Sequence, residues 1–344
     1  MLSLLATHTD RSLFDYAVQS KVYPSEPTVA YVTARGDCGD GSGCSAQGPT
    51  KRSPGAAISA LHLLKEPPYV TIRDRWKTNA FALEGQDRCG ELLFVADLLN
   101  GHLLTFNASS LEHGPLDVLK LSTNSALHVR LYSQLGASVL GEASNSSACA
   151  AHRRGEKLFA LVTTGLANRR HATTINGGLL AIEIDPMGRL QEVAGIFDGG
   201  IPRGTEGVLV TGRMAVVGGF RDTCVALVDL SGLTEPTSMG AHSLRVVQRL
   251  CDPAYVQLVG TLLGNPDGGN ASDFALALWG QPGGIATFRR RHDEHGTTAV
   301  AEMGRYLSPA LARANRVHLQ WEHSPGEPRL VWLPLEQWPL LQST

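Results

Sequence analysis

The chain has 344 residues, 43% of them hydrophobic and only 18% charged, with a formal net charge of −2. That balance supplies no clustered Lys and Arg for phosphate groups and argues against nucleic acid as the main partner. No apolar run approaches the roughly 18 residues of a membrane-spanning helix. The 37 Gly and 18 Pro suit many short strands joined by tight turns, and a closed β architecture of this length forms a single domain, 1–344.

The first unit predicts strands at Thr28–Ala34, Ala56–Leu64 and Tyr69–Asp74. Between the first two lies a long Gly/Ser/Pro-rich surface loop, Gly36–Pro54. The second unit predicts Asn79–Glu84, Leu92–Asp97, His102–Asn107 and Leu116–Leu121, and the third Lys157–Thr163, Gly178–Asp185 and Leu190–Ile196. A Ser/Ala-rich insertion, Leu135–Arg154, lengthens the third unit. In the fourth the strands are Glu206–Thr211, Met214–Gly219, Cys224–Leu230 and Ser243–Gln248. In the fifth they are Tyr255–Gly260, Phe274–Trp279, Gly284–Arg289 and Thr298–Met303. A sixth, shortened unit holds Arg316–Trp321 and Leu330–Leu335.

The second strand of each unit recurs at 29–34, 92–97, 158–163, 214–219, 274–279 and 330–335, a spacing of 56 to 66 residues. Self-similarity at such a period, with four strands per unit, predicts an all-β fold: a β-propeller of six blades, each of four antiparallel strands. Because a propeller must bury the edges of its last blade, Leu2–Thr7 and Leu13–Gln19 are expected to complete that blade.

The fourth unit reads Gly207-Val-Leu-Val-Thr-Gly-Arg-Met-Ala-Val-Val-Gly-Gly219, then Cys224-Val-Ala-Leu-Val-Asp-Leu-Ser231, then Thr234-Glu-Pro236. This resembles the LVIVD-type propeller repeat, as do Leu179-Ala-Ile-Glu-Ile-Asp-Pro186 and, more loosely, the fifth unit. The resemblance implies a fold. The wider family has no single activity, so it brings no catalytic residue.

No metal, nucleophile-elbow or phosphate-loop motif is present. Propeller ligands sit where the first strands of the blades begin, and there the chain carries Glu206, Asp252, His128 and Arg203. These four are the candidate ligand-binding set at the channel mouth. The starts carry few carboxylates, and arginines such as Arg203 among them oppose a cation. The first reading is therefore a non-enzymatic interaction module with a protein partner, or a small polar ligand, and no cofactor. The alternative is a propeller hydrolase or lactonase with Ca2+ or another divalent cation in the channel. A third reading, an extracellular adhesion fragment, rests on Arg35-Gly36-Asp37 and on sequons at Asn107, Asn145 and Asn270.

Two other features have plainer readings. Arg289–Gly296, with its two His and two carboxylates, reads as a solvated charged turn, and Trp321, Trp332 and Trp338 as packing of the closing blade. Cys224, inside an apolar strand, reads as a buried thiol, whereas Cys38 and Cys44 are spaced to pair in an oxidising compartment. The opening Met1-Leu-Ser-Leu-Leu lacks the basic and apolar regions of a secretory signal. That reads as cytosolic, or as extracellular if the N-terminus is incomplete.

Overall fold

The computed structural model describes residues 17–23, 26–34, 44–45, 48–49, 56–66, 68, 70–78, 80–98, 100–133, 157–165, 177–197, 200–219, 222–234, 241–253, 259–263, 273–278, 283–292 and 298–309. They form five four-stranded antiparallel sheets in chain order. The first holds β1 (Ala17–Tyr23), β2 (Glu26–Ala34), β5 (Ala56–Leu63) and β6 (Val70–Thr78). Inside the β2–β5 connection, β3 (Cys44–Ser45) pairs with β4 (Gly48–Pro49). The second sheet is β7 (Leu83–Cys89), β8 (Leu92–Asp97), β9 (His102–Asn107) and β10 (Pro115–Lys120). The third is β11 (Val129–Ser133), β12 (Leu158–Thr164), β13 (Gly178–Ile184) and β14 (Leu190–Phe197). The fourth is β15 (Thr205–Thr211), β16 (Met214–Gly219), β17 (Cys224–Asp229) and β18 (Arg245–Cys251), with a short helix α1 (Ser231–Thr234) after β17. The fifth is β19 (Val259–Leu263), β20 (Asp273–Leu278), β21 (Gly283–His292) and β22 (Thr298–Ser308).

Within each sheet the strands lie side by side in sequence order. The first strands form an inner row: β7 packs against β1 and β11, β11 against β15, and β15 against β19. The last strands meet on the outside, β10 against β14 and β18 against β22. This is the blade arrangement of a propeller.

Four apolar cores fill the spaces between consecutive sheets. Tyr31, Ile58, Leu93 and Val95 join the first sheet to the second. Phe94, Leu103, Leu131 and Leu180 join the second to the third. Phe159, Leu161, Val208 and Val217 join the third to the fourth, and Val216, Leu227, Leu276 and Phe288 join the fourth to the fifth. Side chains alternate between the faces of a strand. Leu93 and Val95 therefore face one neighbour and Phe94 the other, so the middle strands are apolar on both faces. This is why β8, β9, β16 and β17 read as continuous hydrophobic runs.

Three expectations are corrected. Ala17 and Gln19 pair with Ala34 and Thr33 of β2, so the described part of Leu13–Gln19 is the inner strand of the first sheet and does not complete a last blade. Only Pro24 and Ser25 separate β1 from β2, and so short a connection closes at far lower entropic cost than a pairing across the chain. Cys224 is no thiol: it lies opposite Cys251 in the β17–β18 ladder and forms a disulfide with it. Arg289–His292 continue β21, paired with Ala301, Val300, Ala299 and Thr298, and so are not part of a turn. The sixth unit, Leu2–Thr7, Arg35-Gly36-Asp37 and the tryptophans at 321, 332 and 338 lie outside the described residues.

Candidate functional site

Three of the five inner strands share an irregularity at their first residues. In β1 it falls between Ala17 and Gln19, in β7 between Leu83 and Gln86, and in β15 between Thr205 and Val208. Each inserts one extra residue against its partner strand, a β-bulge that re-aims the side chains around it. The bulged positions of β7 and β15 carry the same dipeptide, Glu84-Gly85 and Glu206-Gly207. In the third sheet, Leu127 and His128 stand in the corresponding place. The Leu127 N–H donates to the Thr163 carbonyl at 2.9 Å, and the Thr163 N–H to the His128 carbonyl at 3.0 Å.

Threonines of the second strands hold these segments. The Thr33 hydroxyl donates to the Glu84 carbonyl at 2.5 Å, and the Thr163 hydroxyl to the Glu206 carbonyl at 2.7 Å. The Gly85 N–H donates to the Leu127 carbonyl at 2.7 Å. A Cβ on Gly85 would stand 2.3 Å from that oxygen and 2.6 Å from His128 Cα. The glycine is therefore required by close approach of two backbones. These contacts place Glu84, His128 and Glu206 at the starts of three neighbouring inner strands. His128 Nε2 lies 3.9 Å from Glu206 Oε1, and Glu84 is only 2% exposed.

Beyond the bulges, polar side chains tie neighbouring inner strands together. Lys21 Nζ donates to the Gln86 carbonyl at 2.8 Å and to Asp87 Oδ1 at 3.2 Å. Asp87 is fully buried, and its other oxygen accepts the Leu131 N–H at 3.0 Å. Gln86 Nε2 donates to the Tyr31 carbonyl at 2.8 Å. A buried carboxylate with an ammonium on one side and an amide on the other meets the requirement that buried charge be paired.

A second polar cluster lies at the opposite end of the first two sheets. Glu26 accepts from Arg88 at 2.7 Å, from the Tyr31 hydroxyl at 2.9 Å and from Arg73. Arg73 also donates to the Tyr31 oxygen at 2.8 Å. The Arg88 guanidinium lies 5.0 Å from the centre of the Tyr31 ring, within cation–π range. Burial pushes the Tyr31 phenol up to about 12, and its hydrogen bond to Glu26 acts in the same direction. Burial alone would raise the Glu26 carboxyl, but hydrogen bonds from Arg88, Tyr31 and Arg73 outweigh it and hold Glu26 below the ordinary range.

Of the four expected site residues, the structure brings His128 and Glu206 together. Arg203 sits on the exposed turn before β15, its N–H donating to Asp222 Oδ2 at 3.4 Å. Asp252 lies elsewhere. The fourth outer strand runs on to Cys251, so Asp252 follows that strand and does not begin an inner one. Both its oxygens accept from Arg305 of β22, each at 2.9 Å. Among the described residues, no three of His, Cys, Asp and Glu gather as a metal ion would need. Sequence reading missed Glu84, Lys21 and Asp87. The signal for Glu84 was there, since Glu84-Gly85 and Glu206-Gly207 stand at the same distance before their next strands. The polar run around Glu84 hid it.

No protein-family model matches the chain, and no curated protein matches it. Among solved structures it is similar to a hypothetical selenium-binding protein from Sulfolobus tokodaii, with a TM-score of 0.52, 8% identity, and coverage of 86% of this chain and 67% of that one. It is also similar to a chain of a mitotic checkpoint complex, with a TM-score of 0.50, 8% identity, and coverage of 88% and 69%. A provisionally assigned 6-phosphogluconolactonase from Bacteroides uniformis matches at a TM-score of 0.49 and 14% identity, over 87% of this chain and 74% of that one. At these identities the likeness concerns the fold alone.

Proposed function

We propose that this chain is a non-enzymatic propeller module that binds a protein partner, with the bulged ends of its inner strands receiving a cationic side chain of that partner. The observation that carries this reading is the approach of His128 to Glu206 at 3.9 Å beside the strand that holds Glu84. The Glu206 carboxylate beside the His128 imidazole favours a guanidinium or ammonium, whose charge-assisted hydrogen bonds are the strong ones. Glu206 is the most exposed member of this largely buried set, and a charged group at such a place suits an arginine anchor of the sort that dominates protein interfaces. The rigid strands and the threonine hydrogen bonds preorganise it, which reduces the ordering cost of binding.

Calorimetric titration with acetyl-Gly-Arg-Gly-amide, and separately with Ca2+ and Zn2+, tests the proposal. Saturable binding of the peptide is expected. Glu206→Gln should weaken it about tenfold or more, the loss of one charge-assisted hydrogen bond, while the melting temperature stays nearly unchanged. Stoichiometric uptake of a divalent cation with no response to the peptide would overturn the reading in favour of a metal-dependent propeller hydrolase.

A further inference from the structure

We propose that Asn107 carries an N-linked glycan, in a chain that matures in an oxidising, secretory compartment. Two independent observations meet here. The first is the state of the cysteines. Cys224 and Cys251 are joined across the β17–β18 ladder, Cys89 is also disulfide-bonded, and there is no free cysteine among the described residues. Disulfides of this kind persist in secreted and luminal proteins and are rare in the cytosol.

The second is the geometry of the sequon Asn107-Ala108-Ser109. It occupies the surface turn that ends β9. Asn107 Oδ1 accepts the Ser109 N–H at 2.9 Å, closing an Asx turn. The Asn107 carbonyl accepts the Ser110 N–H at 3.2 Å. Asn107 is half-buried and Ser109 exposed, whereas Ala108 between them is fully buried and fixes the turn to the sheet. Its N–H donates to the Glu91 carbonyl at 2.8 Å, and its carbonyl accepts from Arg73 at 2.9 Å. The Asn107 amide nitrogen makes no hydrogen bond that holds it against the protein among the described residues, so a sugar there meets solvent. The turn lies apart from Glu84, His128 and Glu206, and a glycan on it leaves the proposed binding site open.

The donor is an oligosaccharide linked to a lipid through pyrophosphate. Asn107 Nδ2 forms a bond to the anomeric carbon, and the bond from that carbon to the pyrophosphate oxygen breaks. The lipid pyrophosphate departs with the bonding electrons, and the amide gives up one proton. Nothing is oxidised or reduced.

The test uses the epitope-tagged full chain recovered from its native cells. Treatment with a peptide N-glycosidase in 18O-labelled water should convert Asn107 to labelled Asp in the mapped peptide. Ser109→Ala removes the sequon yet keeps the backbone N–H of the Asx turn, so it should fold and lose this one glycan. Ser109→Thr should keep it. Iodoacetamide added to denatured, unreduced protein should leave Cys224 and Cys251 unlabelled. An unmodified Asn107 peptide, or alkylated Cys224, would overturn the proposal.

Discussion

The Tyr31 hydroxyl links Glu26, Arg73 and the Ala108 carbonyl, so one phenol holds the first sheet to the second. Its folded pKa of about 12 stands above the ordinary 10.0. The unfolded chain therefore releases this proton first as the pH rises. Stability from this group is complete below pH 10 and is lost between there and about 12. Denaturant midpoints measured across that range should fall for the wild type and fall less for Tyr31→Phe. Glu26 has the opposite sign. Its folded pKa is depressed, so its contribution is complete above the ordinary 4.5 and is lost as the pH falls through the lower folded value. Glu26→Gln should flatten that acid limb. At neutral pH it should also cost about 1–3 kcal/mol by removing the charged acceptor of two guanidinium groups. Leu227 offers an apolar counterpart. It pairs with Val216 at the centre of the core between the fourth and fifth sheets and is 0% exposed. Leu227→Ala should cost about 2–5 kcal/mol in urea titrations. This burial was legible in the sequence, because a run of Val, Ala and Leu has no other place in a β fold. The Cys224 disulfide was not legible, because its partner follows 27 residues later on a strand that reads as ending before it.

Among the strands, legibility follows the faces. The second and third strands of the second sheet run at Leu92–Asp97 and His102–Asn107, as expected from their unbroken apolar character. The inner strand of the second sheet begins later than expected, at Leu83 in place of Asn79, whereas that of the fourth begins at Thr205, one residue before the expected Glu206. The sequence of β7, Leu-Glu-Gly-Gln-Asp-Arg-Cys, has the composition of a turn, yet every residue in it is buried. The Gln86 amide nitrogen, Asp87 and Arg88 find their partners on neighbouring strands, information that no local pattern contains. Gly85→Ala tests this packing. The added carbon meets the backbone of Leu127 and His128, just before β11, with no flexible side chain to yield. A loss of about 1–3 kcal/mol is expected from this overpacking, together with weaker binding of the arginine peptide as His128 is displaced. Unchanged stability would show that β7 and β11 do not approach as described. The outer edge of the fourth sheet offers a further test. Replacing both Cys224 and Cys251 by Ser should lower stability by about 2–4 kcal/mol, the usual effect of losing a short-loop disulfide, read as a lower midpoint in urea.

For the whole molecule, the period of the chain was enough to reveal repeated four-stranded units, since each unit must present apolar middle strands to two neighbours. The way a ring would be completed was not readable, because β1 and β2 are joined through Pro24-Ser25 and pair locally. The candidate site was half readable for the same reason. His128 and Glu206 stand at matching points of successive units, while Asp252 was drawn in by an outer strand that runs further than its polarity suggests. The four cores have one more consequence. Each is made of two half-cores from different sheets, so the second, third and fourth sheets share their large cores with a neighbour on either side. Opening the third sheet uncovers both Phe94 of the second and Val208 of the fourth. Local unfolding of one unit is thus thermodynamically tied to its neighbours, as in a one-dimensional lattice with strong nearest-neighbour coupling. In native-state hydrogen exchange, the amides of β12 and β16 should then report a common opening free energy, and a destabilising change in one sheet should speed exchange in the next.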